Sequence, residues 1–347
     1  MSLKWTLENL EKAIRVESCT GKENNFLKFL ETLLPEKTEI VKIKVEKNRY
    51  NAIIFSKDTD IEKIKIGLFG HLDTVPPLSK DLLVPKITKK FITGLGACDM
   101  KSSIIAYLYL LQKNMLKNVA IFLTVDEENE MKGIKKFVEI KQRNFENLKI
   151  AILGEPTNLK IGIGHMGVIH SEIEIRGKAS HASIPEKGVN AIEKAAEFII
   201  NFKRKYTPTK GKLGIEKVSF TKIEGGKALN VIPDTCKLYT DIRIPENFDI
   251  NKLNIIEQLG AKHTISSILP SYLMEEKLQR LVKKFCETII LPYGTEAGFL
   301  KSCGVETIIF GPGDWKVAHT INEKIEKTKL SRYISLLPKL LKLLQNY

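Results

Sequence analysis

At 347 residues, 43% hydrophobic and 28% charged, the chain has room for two domains, each with its own core. No window of about 18 uncharged apolar residues occurs, so no membrane-spanning helix is expected. The five scattered cysteines (Cys19, Cys98, Cys236, Cys286, Cys303) form no CxxC pair and read as reduced thiols. The net charge of +14 comes from lysines interleaved with acidic residues, as in KIKVEKNR, and there is no recognised nucleic-acid module or concentrated basic stripe.

The opening segment, MSLKWTLENLEKAIRVES, lacks an apolar signal core and reads as an amphipathic helix, which places the protein in the cytoplasm. Apolar runs then alternate with helical patterns. Residues 64–69 (IKIGLF) predict a buried strand and 102–112 (SSIIAYLYLLQ) a helix. Residues 119–125 (VAIFLTV) predict a second strand, 133–140 a helix and 150–153 a third strand. This order predicts an α/β fold with a mostly parallel sheet flanked by helices, whose ligands bind beyond the carboxyl ends of the strands. The character changes at 168–176 (VIHSEIEIR), which alternates as a half-exposed antiparallel strand does. A helix over 189–203, strands over 217–222 and 236–243, a helix near 250–259 and a strand over 263–269 complete an inserted α+β domain at 166–270. The chain then returns to the first domain, 1–165 and 271–347, through a helix at 274–288, a strand at 306–310 and a helix at 327–344. That last helix carries Leu330, Ile334, Leu337, Leu341 and Leu344 on one face, for docking on the sheet.

The polar clusters sit where the strands end. His71 and Asp73 form an HxD pair after the first strand; a histidine ligand needs a carboxylate or carbonyl partner to fix its tautomer. Asp99 lies in the glycine-rich turn Gly94-Leu-Gly-Ala-Cys-Asp-Met; a dinucleotide loop is a poor alternative, because the third glycine of GxGxxG is absent. Asp126, Glu127 and Glu128 follow the most hydrophobic strand, and three adjacent carboxylates repel one another unless a cation offsets them. Glu155 ends another strand, and His319 follows the strand at 306–310. Two histidines and several carboxylates on one sheet edge, without cysteine, suit a catalytic zinc, cobalt or manganese site. One carboxylate can bridge two metals, and paired Glu127 and Glu128 allow one to bind metal while the other moves protons.

The segments Gly70-His-Leu-Asp-Thr-Val-Pro, 94–101, 126–128, 154–157 and His319, in this order, resemble the dinuclear zinc aminoacylase and carboxypeptidase family. That family includes acetylornithine deacetylase, succinyl-diaminopimelate desuccinylase and glutamate carboxypeptidase. The resemblance implies two divalent ions, zinc first and cobalt as the alternative. It implies Asp99 as the bridge, with Glu128 and His319 completing one shell and His71 and Glu155 the other. It also implies Glu127 as general base, Asp73 as the partner of His71, and a cis peptide bond from Asp99 to Met100. Gly177-Lys-Ala-Ser-His181-Ala-Ser resembles the family's lid segment, whose histidine reaches the partner subunit's site, so a homodimer through the inserted domain is implied. Leu229-Asn230-Val-Ile-Pro233 and Arg243 resemble the part that holds the substrate carboxylate, and an arginine fork suits that task. Gly294-Thr295-Glu296-Ala297-Gly298 resembles the acetylornithine deacetylase form, with Glu296 as a substrate contact.

The expected function is therefore a metal-dependent amidohydrolase that removes an N-acyl group from an amino acid, N-acetylornithine first. The alternatives are succinyl-diaminopimelate desuccinylase, a hydrolase of lysine or ornithine linked to an acidic carrier protein, and a dipeptidase. A metal- or peptide-binding relative without activity is the non-enzyme alternative.

Overall fold

A computed structural model describes residues 2–345 and 347. The chain divides into two compact units. The first comprises Met1–Ile163, Met274–Leu291 and Thr295–Tyr347; the second comprises Gly164–Leu273 and Pro292–Gly294.

In the first unit the chain runs through α1 (Ser2–Arg15), α2 (Glu23–Glu31), β1 (Thr38–Glu46), β2 (Arg49–Ser56), β3 (Ile66–His71) and β4 (Phe91–Thr93). It continues through α3 (Lys101–Gln112), β5 (Val119–Thr124), α4 (Lys132–Asn144) and β6 (Ile150–Leu153). The second unit holds β7 (Gly167–Arg176), α5 (Ala191–Lys205), β8 (Lys217–Gly225), β9 (Thr235–Ile244) and β10 (Lys262–Leu269). The return to the first unit supplies α6 (Glu276–Lys283), α7 (Ala297–Ser302), β11 (Glu306–Ile309), β12 (Lys324–Glu326) and α8 (Lys327–Leu344).

Among the strands named above, the main sheet has the order β1-β2-β5-β3-β6-β11. Its inner strands β5, β3, β6 and β11 are parallel, and the β1–β2 hairpin adds an antiparallel edge. Every residue of β3, β5 and β6 is buried, which is why these strands read as continuous apolar runs rather than alternating ones. Parallel pairing aligns their carboxyl ends, so the residues after β3, β5 and β6 emerge on one edge.

Helix α3 is buried along 101–111, and its first turn is anchored by two side chains. Lys101 Nζ donates to the carbonyls of Ala13 (3.0 Å) and Val16 (2.8 Å) at the end of α1, over the Phe26 ring. Ser103 donates to the Gly154 carbonyl at 2.5 Å. Helix α8 buries Leu330, Tyr333, Ile334, Leu337, Leu340, Leu341 and Leu344. In the second unit the antiparallel order is β8-β9-β7-β10, with α5 packing Ala195, Phe198 and Phe202 onto Ile173, Leu238 and Ile242.

Two expectations differ from the structure. The helix expected over 274–288 stops at Lys283, and Thr288–Leu291 is a strand. Cys286 turns its thiol to the Leu159 carbonyl at 3.0 Å, and the β-branched Thr-Ile-Ile run favours extended backbone. The helix near 250–259 is split into a 3-10 turn, Ile250–Asn254, and one α-turn, Ile255–Gln258. The hairpin β1–β2 was not anticipated; Asn48, at φ +59°, makes its tight turn. No described helix is long and apolar enough to cross a membrane.

Under the sheet, Phe122 stacks on Phe69 (4.6 Å between centroids) and meets Phe137 and Phe145 edge-on. This cluster backs the two strands that end in His71 and in the 126–128 turn. Phe122→Ala should lower unfolding stability by about 3–5 kcal/mol, since the rigid strands on both sides cannot close the cavity. Urea unfolding of the metal-free protein measures it, and a loss under about 1 kcal/mol would show the cluster to be peripheral.

Candidate metal centre

The site is assembled from five segments of the first unit. β3 ends at His71, the turn before α3 carries Asp99, β5 leads into Glu127 and Glu128, and β6 leads into Glu155. His319 follows β11 across the turn Gly311-Pro-Gly-Asp, at φ +59°. The Asp99–Met100 peptide is cis, as the resemblance implies.

Asp99 stands between the two histidines. Its Oδ1 is 3.1 Å from His71 Nε2, and its Oδ2 is 3.4 Å from His319 Nε2. His319 Nε2 is also 2.9 Å from Glu128 Oε1, and His71 Nε2 is 4.0 Å from Glu155 Oε1. Two triads result, His71–Asp99–Glu155 and Asp99–Glu128–His319, each with its donor atoms within 4.8 Å of one another. The two ends differ in access: His71 is 1% exposed at its side chain, His319 48%.

Electrostatics records the crowding. Burial raises Asp99, but hydrogen bonds from His319 and His71 outweigh it and hold the carboxyl below the usual range. Beside Asp99 and Glu128, the His319 imidazole is pushed up to about 10. Burial and the neighbouring carboxylates push Glu127 and Glu155 well above the usual carboxylate range, and burial also raises Glu128. Glu155 Oε1 is buried without a hydrogen-bond partner among the described residues. An orphaned carboxylate oxygen aimed at a histidine nitrogen, in a set that protons alone stabilise poorly, fits a divalent cation. The donors, two imidazoles and three carboxylates without thiolate, fit zinc, cobalt or manganese.

Behind the donors lies a layer of buried acceptors. His71 Nδ1 meets the Asp73 carbonyl at 2.9 Å, which leaves Nε2 to donate to Asp99 or, in place of that proton, to bind a metal ion. The carboxylate of Asp73 was expected to serve His71; it stands 3.6 Å from Nδ1 and has a second task. Its Oδ1 accepts the Glu127 amide (3.1 Å), and its Oδ2 accepts the Glu128 amide (3.1 Å) and the Thr20 hydroxyl (2.9 Å). Asp126 turns away from the centre. At φ +69°, it accepts Arg49 Nη2 at 2.6 Å and the amides of Glu130 and Lys132. Arg49 also pairs with Glu23, which is fully buried, and with Glu46.

The remaining expected residues are placed differently. Glu296, expected as a substrate contact, is fully buried at the start of α7; burial raises its carboxyl to about 7, and it presents no surface to a substrate. Its charge acts on Glu127 and Glu155 from behind. His181, Asn230 and Arg243 belong to the second unit. His181 is exposed, with Nδ1 2.7 Å from the Ser183 hydroxyl. Asn230 is exposed, and its carbonyl accepts the Ala182 amide. The Arg243 fork, expected to stand free for a substrate carboxylate, engages Asp241 through Nε (2.7 Å) and Nη2 (2.9 Å).

Against known proteins, residues 163–259 match the family profile described as a peptidase dimerisation domain of the M20 type. Acetylornithine deacetylase of Erwinia tasmaniensis is 31% identical over 290 residues, 75% of this chain and 75% of the relative. The chain belongs to the M20 peptidase family. As a member it is a metal-dependent hydrolase of amide bonds. Within the family, an M20 peptidase domain-containing protein of Schizosaccharomyces pombe is 28% identical over 331 residues, 91% of this chain and 79% of that one. A tripeptidase from Staphylococcus aureus shares the fold at a TM-score of 0.78 and 22% identity, over 99% of both chains. A Bacillus subtilis structure described as a dinuclear metal-binding M20 peptidase matches at a TM-score of 0.70, with 17% identity over 98% of this chain and 97% of that one.

The M20 chain gives a direct test of the buried layer. Arg49→Met leaves Glu23 and Asp126 as uncompensated buried charges and should cost about 3–5 kcal/mol. Guanidinium unfolding of the metal-free protein reads this, and Arg49→Lys should recover part of it. A Met variant as stable as wild type would mean that the network carries no weight.

Proposed function

We propose that this M20 chain is a dinuclear deacylase that cleaves the N-acyl group from an amino acid, with N-acetylornithine the first substrate to test. The observation that carries the reading is Asp99, one carboxylate with an oxygen toward each of two histidines, each histidine backed by a further carboxylate. In this reading His71, Asp99 and Glu155 hold one ion, and Asp99, Glu128 and His319 the other. Zinc is the first choice. Bound ions would supply Lewis acidity to the scissile carbonyl and make water more acidic. The relatives named acetylornithine deacetylase support the acyl amino acid as substrate class.

The chain's own residues divide the work. Glu127 takes a proton from the attacking water on a carboxylate oxygen and passes it to the departing nitrogen. Its raised affinity for a proton suits it to hold one between the two steps. Asp73 holds the amides of Glu127 and Glu128 together, so adjacent residues keep separate tasks. The substrate approaches from the His319 end, because the His71 end is closed. His181, whose Nδ1 is engaged by Ser183, is left with Nε2 to donate to the developing oxyanion. Asn230 and Arg243 are the candidates for the substrate carboxylate, Arg243 through donors not used by Asp241. A homodimer through residues 163–259 fits the dimerisation profile.

Two measurements test this. Asp99→Ala should lose both ions, Glu127→Gln should keep them with turnover reduced about 10²–10⁴-fold, and Glu128→Gln should weaken one ion. Elemental analysis beside kinetics separates the three; full metal in Asp99→Ala, or equal metal affinity in the two glutamine variants, removes the assignment. A panel of N-acetylornithine, N-succinyl-diaminopimelate and di- and tripeptides, with added zinc or cobalt, should show the highest kcat/KM for N-acetylornithine. Faster cleavage of a peptide would assign the chain to the peptidases instead.

A further inference from the structure

The sequence places β4 directly before the Asp99 turn and β12 directly after the His319 turn. The two strands pair antiparallel, with Thr93 opposite Lys324, so the ladder delivers both turns side by side. Glu323 lies where the ladder ends. It is 1% exposed, and its Oε1 accepts the amides of Cys98 (2.9 Å) and Asp99 (3.1 Å). Its main-chain carbonyl accepts the Gly94 amide at 3.0 Å, and its own amide donates to the Thr320 carbonyl at 3.2 Å, one residue beyond His319.

Residues 94–99 cannot satisfy these amides themselves. Gly94 and Gly96 have φ of +154° and +76°, so the segment is neither helix nor strand. A buried amide left unpaired costs about 1–3 kcal/mol, so two amides on one carboxylate oxygen give the turn a single favoured position. The contact is close throughout: Cys98 donates its thiol to the Asp314 carbonyl (3.2 Å), and a Cβ on Gly313 would fall 2.6 Å from the Cys98 carbonyl oxygen.

We propose that Glu323 is a positioning residue that locks the Asp99 turn to the His319 turn and so sets the spacing of the donors to both ions. This rests on the metal-centre reading above. Glu323 touches neither histidine nor the Asp99 carboxylate; it acts through the amide of Asp99 and through the turn that carries His319. Glutamine keeps an oxygen at the accepting position without the charge, and alanine removes it.

The test is zinc binding by the metal-free full chain, titrated in competition with a chelator, for wild type, Glu323→Gln and Glu323→Ala. Alanine should weaken both ions about 10–100-fold, the range for residues that hold metal ligands in place, and glutamine should recover most of the loss. Hydrogen exchange of the Cys98 and Asp99 amides should rise in the alanine variant and stay near wild type in the glutamine variant. If alanine does not fold, Glu323→Asp, whose carboxylate ends one methylene short of the amides, supplies the loss. Wild-type affinity in the alanine or aspartate variant overturns the proposal. Equal losses in alanine and glutamine also overturn it, in favour of a charge effect. A wild type that binds no zinc would instead remove the metal-centre reading itself, and this inference with it.

Discussion

Repulsion among carboxylates is the constraint on which the rest of the catalytic unit depends. Parallel strands β3, β5 and β6 bring their carboxyl ends to one edge, and the sequence fills that edge with Asp73, Glu127, Glu128 and Glu155, with Asp99 added from the side. Two unit charges 4 Å apart interact by about 4 kcal/mol at an effective dielectric constant of 20. Five such groups would drive the turns apart unless cations, protons or fixed donors offset them. Two imidazoles do part of this, which is why His319 is pushed up to about 10 while Asp99 is held down. Divalent ions would do the rest, and they would replace protons that the metal-free centre must otherwise hold.

A centre under this stress needs a stiff backing, and the protein builds it in one recurring way. Buried carboxylates accept the backbone amides of the turns that carry the donors. Asp73 holds Glu127 and Glu128, Asp126 holds Glu130 and Lys132, and Glu323 holds Cys98 and Asp99. Turn amides have no ladder or helix to pair with, so an aspartate or glutamate is the compact way to satisfy two at once. Asp126 has in addition a full counter-charge in Arg49. Some of the acidity of this edge is therefore scaffold. Asp99, Glu128 and Glu155 are the carboxylates that face the Nε2 atoms of His71 and His319 within the two triads.

The parallel sheet was legible because its strands are buried on both faces and read as unbroken apolar runs ending in polar clusters. His71, Asp99, Glu128 and Glu155 stood out by their places at strand ends or in the glycine-rich turn, and His319 by lying beyond β11 past the turn at 311–314; their division between two ions came from the family resemblance. The backing was not. Arg49 meets Glu23 and Asp126 across 26 and 77 positions, and Glu323 meets Asp99 across 224, with no local pattern to announce either. The alternation in TEIVKIKVE and the Asn48 turn could have signalled the β1–β2 hairpin. Glu296 was misjudged because its position before α7 says nothing of depth. The pairing of Arg243 with Asp241, two residues away on the same face of β9, was not read from the sequence.

The sign of the whole molecule and the sign of its centre are opposite, and the difference bears on what the centre can accept. The +14 charge is spread over lysines that pair with surface carboxylates, as Lys42 does with Glu31, Lys132 with Glu46 and Lys237 with Glu172. Exposed pairs of this kind are worth about 0–1 kcal/mol, and at 0.15 M salt their field fades within about 8 Å. The negative charge is instead gathered and largely buried, where screening is weak. Two divalent ions would bring four positive charges against the five carboxylates of Asp73, Asp99, Glu127, Glu128 and Glu155. Even so loaded, the centre would be close to neutral rather than strongly positive. It could polarise a neutral amide carbonyl, yet it would offer no large excess of positive charge to an amino acid's carboxylate. That recognition calls for cationic or hydrogen-bonding side chains of its own, separate from the metal donors.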